Sequence, residues 1–200
     1  MLDYTYSNNR VSAVSGSQNR RFTYDERGNV TNNGLRGFNF NLANQLTISG
    51  ALNFIYDGHD KLVKRTSNGS NSYQIYSQSG KLIHELHTDG SNTDYVYLLG
   101  SLVAKIKGNS TTYLHSDLLG SPRLETNENR IIANSSRQHY QPYGKRIPSS
   151  DYTDIGFTGH KHDGDLGLTY MQARYYDPVI GRFYSNDPVG YAGNPHSFNR

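Results

Sequence analysis

The most regular feature of the chain is a block in which alternating apolar and polar positions end in an aromatic residue, an acidic or polar residue and a glycine or asparagine. Such blocks occupy 22–30, 38–46, 54–62 and 75–82. Their aromatic residues are Tyr24, Phe40, Tyr56 and Tyr76, spaced 16, 16 and 20 positions apart (40−24, 56−40, 76−56). This spacing suits two short strands and two turns, and it is too short for a helical crossover between parallel strands. The pattern predicts repeated β-hairpins without substantial helix.

Alternation of apolar and polar residues continues beyond these blocks. It is seen in 81–87, 94–98 and 101–107, and the turn dipeptide Gly108-Asn109 follows. A lone hairpin is only marginally stable, so neighbouring hairpins are expected to pair edge to edge or to stack their apolar faces. The one aromatic residue per block is expected to pack in the seam between units, in preference to forming a platform for sugars.

Composition agrees with a β-rich chain. The 200 residues include 17 Tyr and 20 Gly but no Trp or Cys, a composition that favours strands and turns. Without cysteine there are no disulfides and no thiolate chemistry. The net charge is +3 with no basic run, which argues against nucleic acid as a partner. No apolar run reaches membrane-spanning length, and residues 1–6 do not have the features of a signal peptide.

The most specific pattern lies near the end of the sequence. Residues 173–183 read ARYYDPVIGRF, and residues 186–190 read NDPVG. This stretch resembles the C-terminal core signature of the RHS, or YD-repeat, proteins. Four upstream segments resemble other core motifs of that family in the same order: 113–123, 140–144, 156–160 and 165–170. The resemblance divides the chain into YD-type hairpin repeats at 1–112 and an RHS core region at 113–200.

The resemblance implies a fold and a function. The fold is all-β, with YD-repeat hairpins in a curved, spiralling antiparallel sheet that is a fragment of a shell. The implied function is structural: this shell encloses a C-terminal toxin in bacterial polymorphic toxins, and its core region cleaves itself to release that toxin. Two alternatives remain open. One is an active aspartyl autoprotease whose product has been removed, and the other is a cell-surface adhesion or carbohydrate-binding module.

Autoproteolysis in the family is attributed to aspartates and cuts after a second, downstream Asp-Pro-Gly. One carboxylate must be ionised to activate water while another stays protonated, which two carboxylates held close together achieve. The resemblance places the leading catalytic candidate at Asp187, in the first Asp-Pro-x-Gly. Asp177 is the candidate second carboxylate and Arg182 the candidate positioning charge. Asp163 and Asp165 compete with Asp177 for the second role. No cofactor is expected.

Two histidine-containing segments are weaker candidates for chemistry. His115-Ser116-Asp117 has the residue types of a hydrolytic triad, but neighbours on a strand point to opposite faces. A hydrogen bond between His115 and Asp117 that holds a turn is the preferred interpretation. His160 and His162 share a face of a strand, yet no second cluster completes a metal site. No metal ligand is therefore assigned.

The sequence ends at Arg200 without the second Asp-Pro-Gly or a toxin. The expectation from the resemblance is a segment truncated within its own signature and inactive by itself. Open sheet edges pair with other chains, so the expected partners are other shell segments or further copies of the chain. The family implies an exported or cell-surface location in bacteria.

Overall fold

The computed structural model describes residues 1–134, 136–147 and 152–186. These residues form twenty-two β-strands and one 3₁₀ turn at Phe157–Gly159, with no α-helix in the described ranges. Every strand pairing in them is antiparallel. The prediction of an all-β fold built from hairpins is confirmed. No helix of the described residues is long and apolar enough to cross a membrane.

The largest element is a sheet of ten strands, here called the wall. Its strands lie side by side in chain order, so each one pairs with the next along the sequence. They are preceded by β1 (Leu2–Ser7), β2 (Arg10–Gly16) and β3 (Arg20–Arg21) in one small sheet, and by β4 (Thr23–Tyr24) and β5 (Val30–Asn32) in another. The wall itself comprises β6 (Asn39–Phe40), β7 (Leu46–Ser49), β8 (Leu52–Tyr56), β9 (Leu62–Ser67), β10 (Ser70–Tyr76), β11 (Leu82–His87), β12 (Asn92–Leu98), β13 (Ser101–Lys107), β14 (Ser110–Ser116) and β15 (Pro122–Asn127).

A second sheet, here called the core sheet, follows the wall. In the sequence, the hairpin of β16 (His139–Tyr140) and β17 (Arg146–Ile147) lies between the two sheets. The five strands of the core sheet are β18 (Asp154–Ile155), β19 (Lys161–Asp163), β20 (Leu168–Met171), β21 (Arg174–Asp177) and β22 (Arg182–Phe183). The predicted boundary between residues 112 and 113 falls inside β14, so it stays a prediction about motif type within one continuous sheet.

The recurring Asp or Asn after the aromatic residue has a local structural role. In the turn between β8 and β9, Asp57 Oδ1 accepts hydrogen bonds from the N–H groups of His59 (2.8 Å) and Lys61 (2.9 Å). Asn41 and Asp117 make the equivalent pair of bonds in their own turns. Such side chains hold the turn by accepting nearby backbone N–H groups.

The glycine or asparagine of the block has a matching role. Three positions after the acidic or polar residue of the block, the backbone adopts a positive φ. It is +88° at Gly28, +60° at Asn44 and +79° at Gly80. Glycine adopts this conformation without a steric penalty, and asparagine tolerates it better than other residues. The block is thus the sequence of one turn type, repeated in the β4–β5 hairpin and along the wall.

The aromatic residue of the block lies at a β-bulge, a feature that the sequence pattern does not predict. Strand register shifts by one residue immediately before Tyr24, Phe40, Tyr56 and Tyr76. All four side chains are partly buried against a hydrophobic core, and the Tyr56 hydroxyl donates to the carbonyl of Leu46 (2.8 Å). The prediction that these residues pack in the core is confirmed, while a seam between stacked units stays a prediction.

The turn chemistry gives a direct test. Replacing Asp57 by alanine should lower the free energy of unfolding by about 1–2 kcal/mol, because two backbone N–H groups lose their acceptor. Replacement by asparagine should have little effect, since Asn41 already performs this role in the preceding block. Urea denaturation of both variants measures the difference, and equal midpoints for alanine and asparagine would show that the side-chain bonds are not needed.

Two clusters of buried apolar residues join the core sheet to the rest of the chain. The larger one combines apolar residues of β2, β5 and β7–β9 with Leu168, Tyr170, Tyr175, Ile180 and Tyr184 from the core-sheet segment. The smaller one consists of wall residues and a single core-sheet residue, Ile155. The core sheet therefore packs on the buried face of the wall.

The outer edge of β15 is covered by the chain itself. The N–H of Ala133 bonds to the carbonyl of Glu125, and the N–H of Gln138 bonds to that of Arg123, both at 2.9 Å. Pairing of β15 with another chain would require displacement of this segment. At the other end of the chain, β1 is one of the two outer strands of the first sheet, and β3 is the other.

Candidate carboxylate site in the core sheet

Asp177 is at the end of β21 and begins the turn that leads to β22. Its Oδ1 accepts hydrogen bonds from the N–H groups of Val179 (2.9 Å) and Ile180 (3.4 Å). Its backbone carbonyl accepts a hydrogen bond from the N–H group of Gly181 (2.9 Å). Gly181 has φ +65°, which glycine adopts readily. The Asp-Pro sequence thus forms a tight turn. The carboxylate of Asp177 points into the protein, and Asp177 is only 1% exposed.

The second oxygen of this carboxylate joins distant parts of the chain. Asp177 Oδ2 accepts Nη1 of Arg20 at 2.7 Å and the hydroxyl of Tyr184 at 2.8 Å. The Tyr184 hydroxyl in turn accepts Nδ2 of Asn33 at 2.9 Å. An ionised carboxylate offers about four acceptor positions, and the four donors named for Asp177 occupy them. This arrangement suits a charged Asp177 that holds structure.

The neighbouring phenol is kept in its neutral form. Burial, together with the adjacent Asp177 carboxylate, raises the pKa of Tyr184 well above its usual value. Tyr184 therefore keeps its proton and donates it in a hydrogen bond to Asp177. Arg20, whose side chain is only 11% exposed, supplies the compensating positive charge.

Arg182 is opposite Asp177 in the pairing of β21 with β22. Its Nη2 donates to the hydroxyl of Tyr6 at 2.6 Å, and its guanidinium lies 5.9 Å from the ring centre of Tyr4. The Tyr4 hydroxyl donates to the carbonyl of Ile180 (2.8 Å). Arg182 thus ties the turn after Asp177 to β1, while Arg20 provides the ion pair that is observed for Asp177.

Asp187, the leading catalytic candidate, lies outside the described residues. The chain before it is held by hydrogen bonds as far as Asn186. The N–H of Val30 bonds to the carbonyl of Tyr184 at 2.7 Å, and the Asn186 side chain donates to the carbonyl of Arg27. The hairpin β4–β5 therefore holds the chain in place as far as Asn186.

Asp163 and Asp165, the competing candidates, lie at a different arginine. Arg65 binds both oxygens of buried Asp163 at 2.6 and 2.9 Å, and it contacts Asp165 at 2.5 Å. The hydrogen bond from Arg65 lowers the pKa of Asp165. The structure thus assigns Asp177 and the Asp163–Asp165 pair to separate ion-pair networks.

The histidine segments have structural partners. His115 Nε2 is 3.0 Å from the hydroxyl of Thr126, while Asp117 accepts N–H groups within its own turn. The prediction of a hydrogen bond between His115 and Asp117 is therefore wrong. His160 contacts Thr158 and His162 contacts Thr169. Within the described ranges, no group of three His, Cys, Asp or Glu residues is placed to hold a metal ion.

Sequence reasoning missed Arg20, Asn33 and Tyr184. The first two precede Tyr184 by more than 150 positions, so no local pattern links them. The one local signal for Tyr184 was its aromatic character next to Phe183, since aromatic residues favour a half-buried sheet surface.

Comparison with known proteins was made over the whole chain. The sequence model of a family described as Teneurin YD-shell matches residues 3–198. Salivary gland surface protein 1 of Aedes aegypti is 25% identical over 232 residues, covering 98% of this chain and 7% of that protein. Double-stranded DNA deaminase toxin A of Burkholderia cenocepacia (strain H111) is 32% identical over 94 residues, covering 44% of this chain and 6% of that protein.

One solved structure extends the comparison to the fold. The crystal structure of TcdB2-TccC3-TEV superimposes with a TM-score of 0.62 at 20% identity, covering 96% of this chain and 13% of that one. At 20% identity, this similarity shows a shared fold and nothing more. The chain thus spans only a small fraction of the curated relatives and of the solved chain that it matches.

Proposed function

Because this chain belongs to the Teneurin YD-shell family, we propose that it is a wall segment of an exported RHS-type shell that encloses a C-terminal toxin. The observation that carries the proposal is the docking of the core sheet, which packs on the wall through Tyr175 against Phe54 and is joined to β3 by the ion pair of Asp177 with Arg20. The wall supplies an extended sheet surface, and the core sheet packs on its buried face.

The partners proposed for this segment are other segments of the same shell. The outer edge of β15 is already covered, so the edge of β1 is the preferred site for pairing with a preceding hairpin. A strand that is the outermost of its sheet offers backbone groups for such pairing. Association of two copies through the same edge is the alternative arrangement.

The same proposal assigns self-cleavage to the core region. Asp187 is the catalytic carboxylate, Asp177 the second carboxylate and Arg182 a positioning charge. Asp177 already forms an ion pair with Arg20, so in a carboxylate pair Asp187 is assigned the role of the protonated member that polarises the scissile carbonyl. Because four donors already occupy Asp177, activation of water there requires the loss of one of those bonds. A purely positioning role for Asp177 is therefore the competing assignment.

A fusion protein tests the assignment of Asp187. The chain is extended past Arg200 with a second Asp-Pro-Gly and a reporter domain, within a complete shell. The fusion should cut itself, and Asp187→Asn should abolish the cut, because asparagine retains the turn-forming hydrogen bonds but has no proton to titrate. Electrophoresis and intact mass measure cleavage, and circular dichroism checks the fold.

Matched variants separate catalysis from structure. Asp165→Asn removes a half-exposed carboxylate from the other arginine network, and it should leave cleavage intact. Cleavage that continues in Asp187→Asn would overturn the catalytic assignment. In that case the fusion would still report on the shell, through the protection of the reporter from added protease.

A second candidate is a wall segment in a cell-surface protein without self-cleavage. The observation in its favour is the 25% identity to an insect salivary gland surface protein over 98% of the chain. The repeated aromatic residues do not support a sugar-binding platform, because Tyr24, Phe40, Tyr56 and Tyr76 pack against the core. An uncut full-length protein on intact cells would favour this candidate.

A further inference from the structure

The two halves of the core sheet are attached to the wall by different forces. The half formed by β20–β22 packs through aromatic rings, with Tyr175 5.6 Å from Phe54 and Tyr170 6.4 Å from Tyr56 between ring centres. The half formed by β18 and β19 adds only Ile155 to a hydrophobic cluster. The second half must therefore depend on other contacts.

Those other contacts are ion pairs across the interface. Lys161 of β19 contacts Glu85 of β11, and Glu85 is only 5% exposed. Asp154 of β18 lies 2.6 Å from Nζ of Lys105 in β13, which also binds Glu125 at 2.8 Å. Buried charges of this kind are strongly coupled, because removing one partner leaves the other uncompensated.

A polar cavity of about 530 Å³ lies beside these pairs. Thr153 and Asp154 form its side towards the core sheet, and wall strands β9–β14 provide the rest. Its lining is hydrophilic, with hydroxyl groups such as those of Ser72 and Thr112 and charged groups such as Lys107. Water can enter such a space readily, so the nearby interface gains little from apolar burial.

We propose that β18 and β19 form a lid at the side of this cavity, which the Glu85–Lys161, Lys105–Asp154 and Arg65–Asp163 pairs hold in place and which acid releases while β20–β22 stay docked. The proposal goes beyond the shell function and does not depend on it. Its physical basis is that β18 and β19 bury one apolar residue, Ile155, beside their ion pairs, whereas β20–β22 add a large aromatic cluster to their ion pair with Arg20.

The charged groups around each pair define the pH response. Glu85 faces Lys161, Gln74, His87 and Tyr95. Burial raises its pKa, but the Lys161 ammonium and the hydrogen bonds outweigh burial, and the net pKa is below the usual value of 4.5. A depressed carboxyl pKa gives stability that is present above the unfolded pKa and lost as pH falls through the folded one.

A histidine on the lid side extends the acid response to higher pH. Burial, aided by the Lys81 charge, lowers the pKa of His160 below its usual value of 6.5. The folded state therefore resists protonation of His160, and its stability declines as pH falls below the unfolded pKa. The other charged groups near the lid are Arg65 on Asp163 and His162 against Tyr152.

Alkaline pH should also loosen the lid. Asp154 faces Lys105, Tyr95 and Tyr97. Burial opposes the charge of Lys105, but Asp154 and Glu125 outweigh burial and raise its pKa. A raised lysine pKa gives stability that is present below the unfolded pKa and lost as pH rises through the folded one. Lid closure should thus be greatest near neutral pH.

Hydrogen exchange of the unmodified chain tests the lid directly. Exchange is followed at pH 7.5 and pH 4 by mass spectrometry and divided by that of an unfolded reference. Peptides covering 154–163 should lose protection several-fold at pH 4, because that pH lies below the usual pKa values of His160 (6.5) and Glu85 (4.5), where the loss begins. Peptides covering 168–177 should keep theirs. Equal loss in both regions, or no loss at 154–163, would overturn the proposal.

Single thiols provide a second test at constant pH. The chain has no cysteine, so Ile155→Cys reports on the lid and Leu168→Cys on the docked half; both positions are buried. Glu85→Gln should speed thiol labelling at position 155 about tenfold or more, since Lys161 loses its partner, and leave position 168 unchanged. Adding Lys161→Met to Glu85→Met should restore slow labelling. Labelling at position 155 that is indifferent to Glu85 would contradict an ionic lid.

Discussion

Replacing Arg20 by methionine should lower the free energy of unfolding by about 3–5 kcal/mol, because it leaves a buried carboxylate without its cation. Asp177 is 1% exposed, and Arg20 is its observed ion-pair partner at 2.7 Å. The loss also frees one acceptor position that Tyr184 alone cannot fill. Urea denaturation followed by circular dichroism measures the change.

The adjacent arginine provides a matched control. Arg21 is exposed in the same strand, so Arg21→Met removes an equal charge without leaving a buried partner, and its effect should stay within about 0.5 kcal/mol. If Arg20→Met and Arg21→Met unfold at the same urea concentration, the Arg20–Asp177 pair does not hold the core sheet in place.

Replacing Tyr175 by alanine should also cost about 3–5 kcal/mol, as expected for a large aromatic side chain in a core. Tyr175 is 3% exposed, and its ring centre lies 5.6 Å from that of Phe54 and 5.3 Å from that of Tyr170. The substitution removes the centre of the contact between the core sheet and β8. Denaturant midpoints of the variant and the unmodified protein give the difference.

Tyr73 is the control for aromatic loss in general. It is 41% exposed on the wall, so Tyr73→Ala removes the same atoms without opening a cavity. Its effect should be far smaller than that of Tyr175→Ala. Comparable destabilisation by the two variants would mean that the aromatic contacts of the core sheet are not what joins it to the wall.

The repeated turns could be predicted from sequence because their signals are local. Asp57 accepts N–H groups two and four positions away, and the positive φ of Gly28 or Gly80 lies in the same short segment. Each block thus encodes its turn within a few residues. The bulges before Tyr56 and Tyr76 depend on pairing between strands, which a single block does not specify.

The candidate site was only partly predictable. The motif around Asp177 identified the carboxylate and its turn, since Val179 and Ile180 bind it locally. Its ion pair with Arg20 spans 157 positions, and the pairing of Asp163 with Arg65 spans 98. Which arginine meets which aspartate follows from how the core sheet docks on the wall, and sequence spacing does not encode that.

Protection of an enclosed domain tests the shell proposal most directly. A complete shell that contains this segment and a C-terminal reporter is treated with a nonspecific protease, and the survival of the reporter is compared with that of the reporter alone. The proposal predicts that the reporter survives inside the shell and is digested when Arg20→Met loosens the core sheet. A reporter that is digested as fast within the intact shell as it is alone would contradict the proposal.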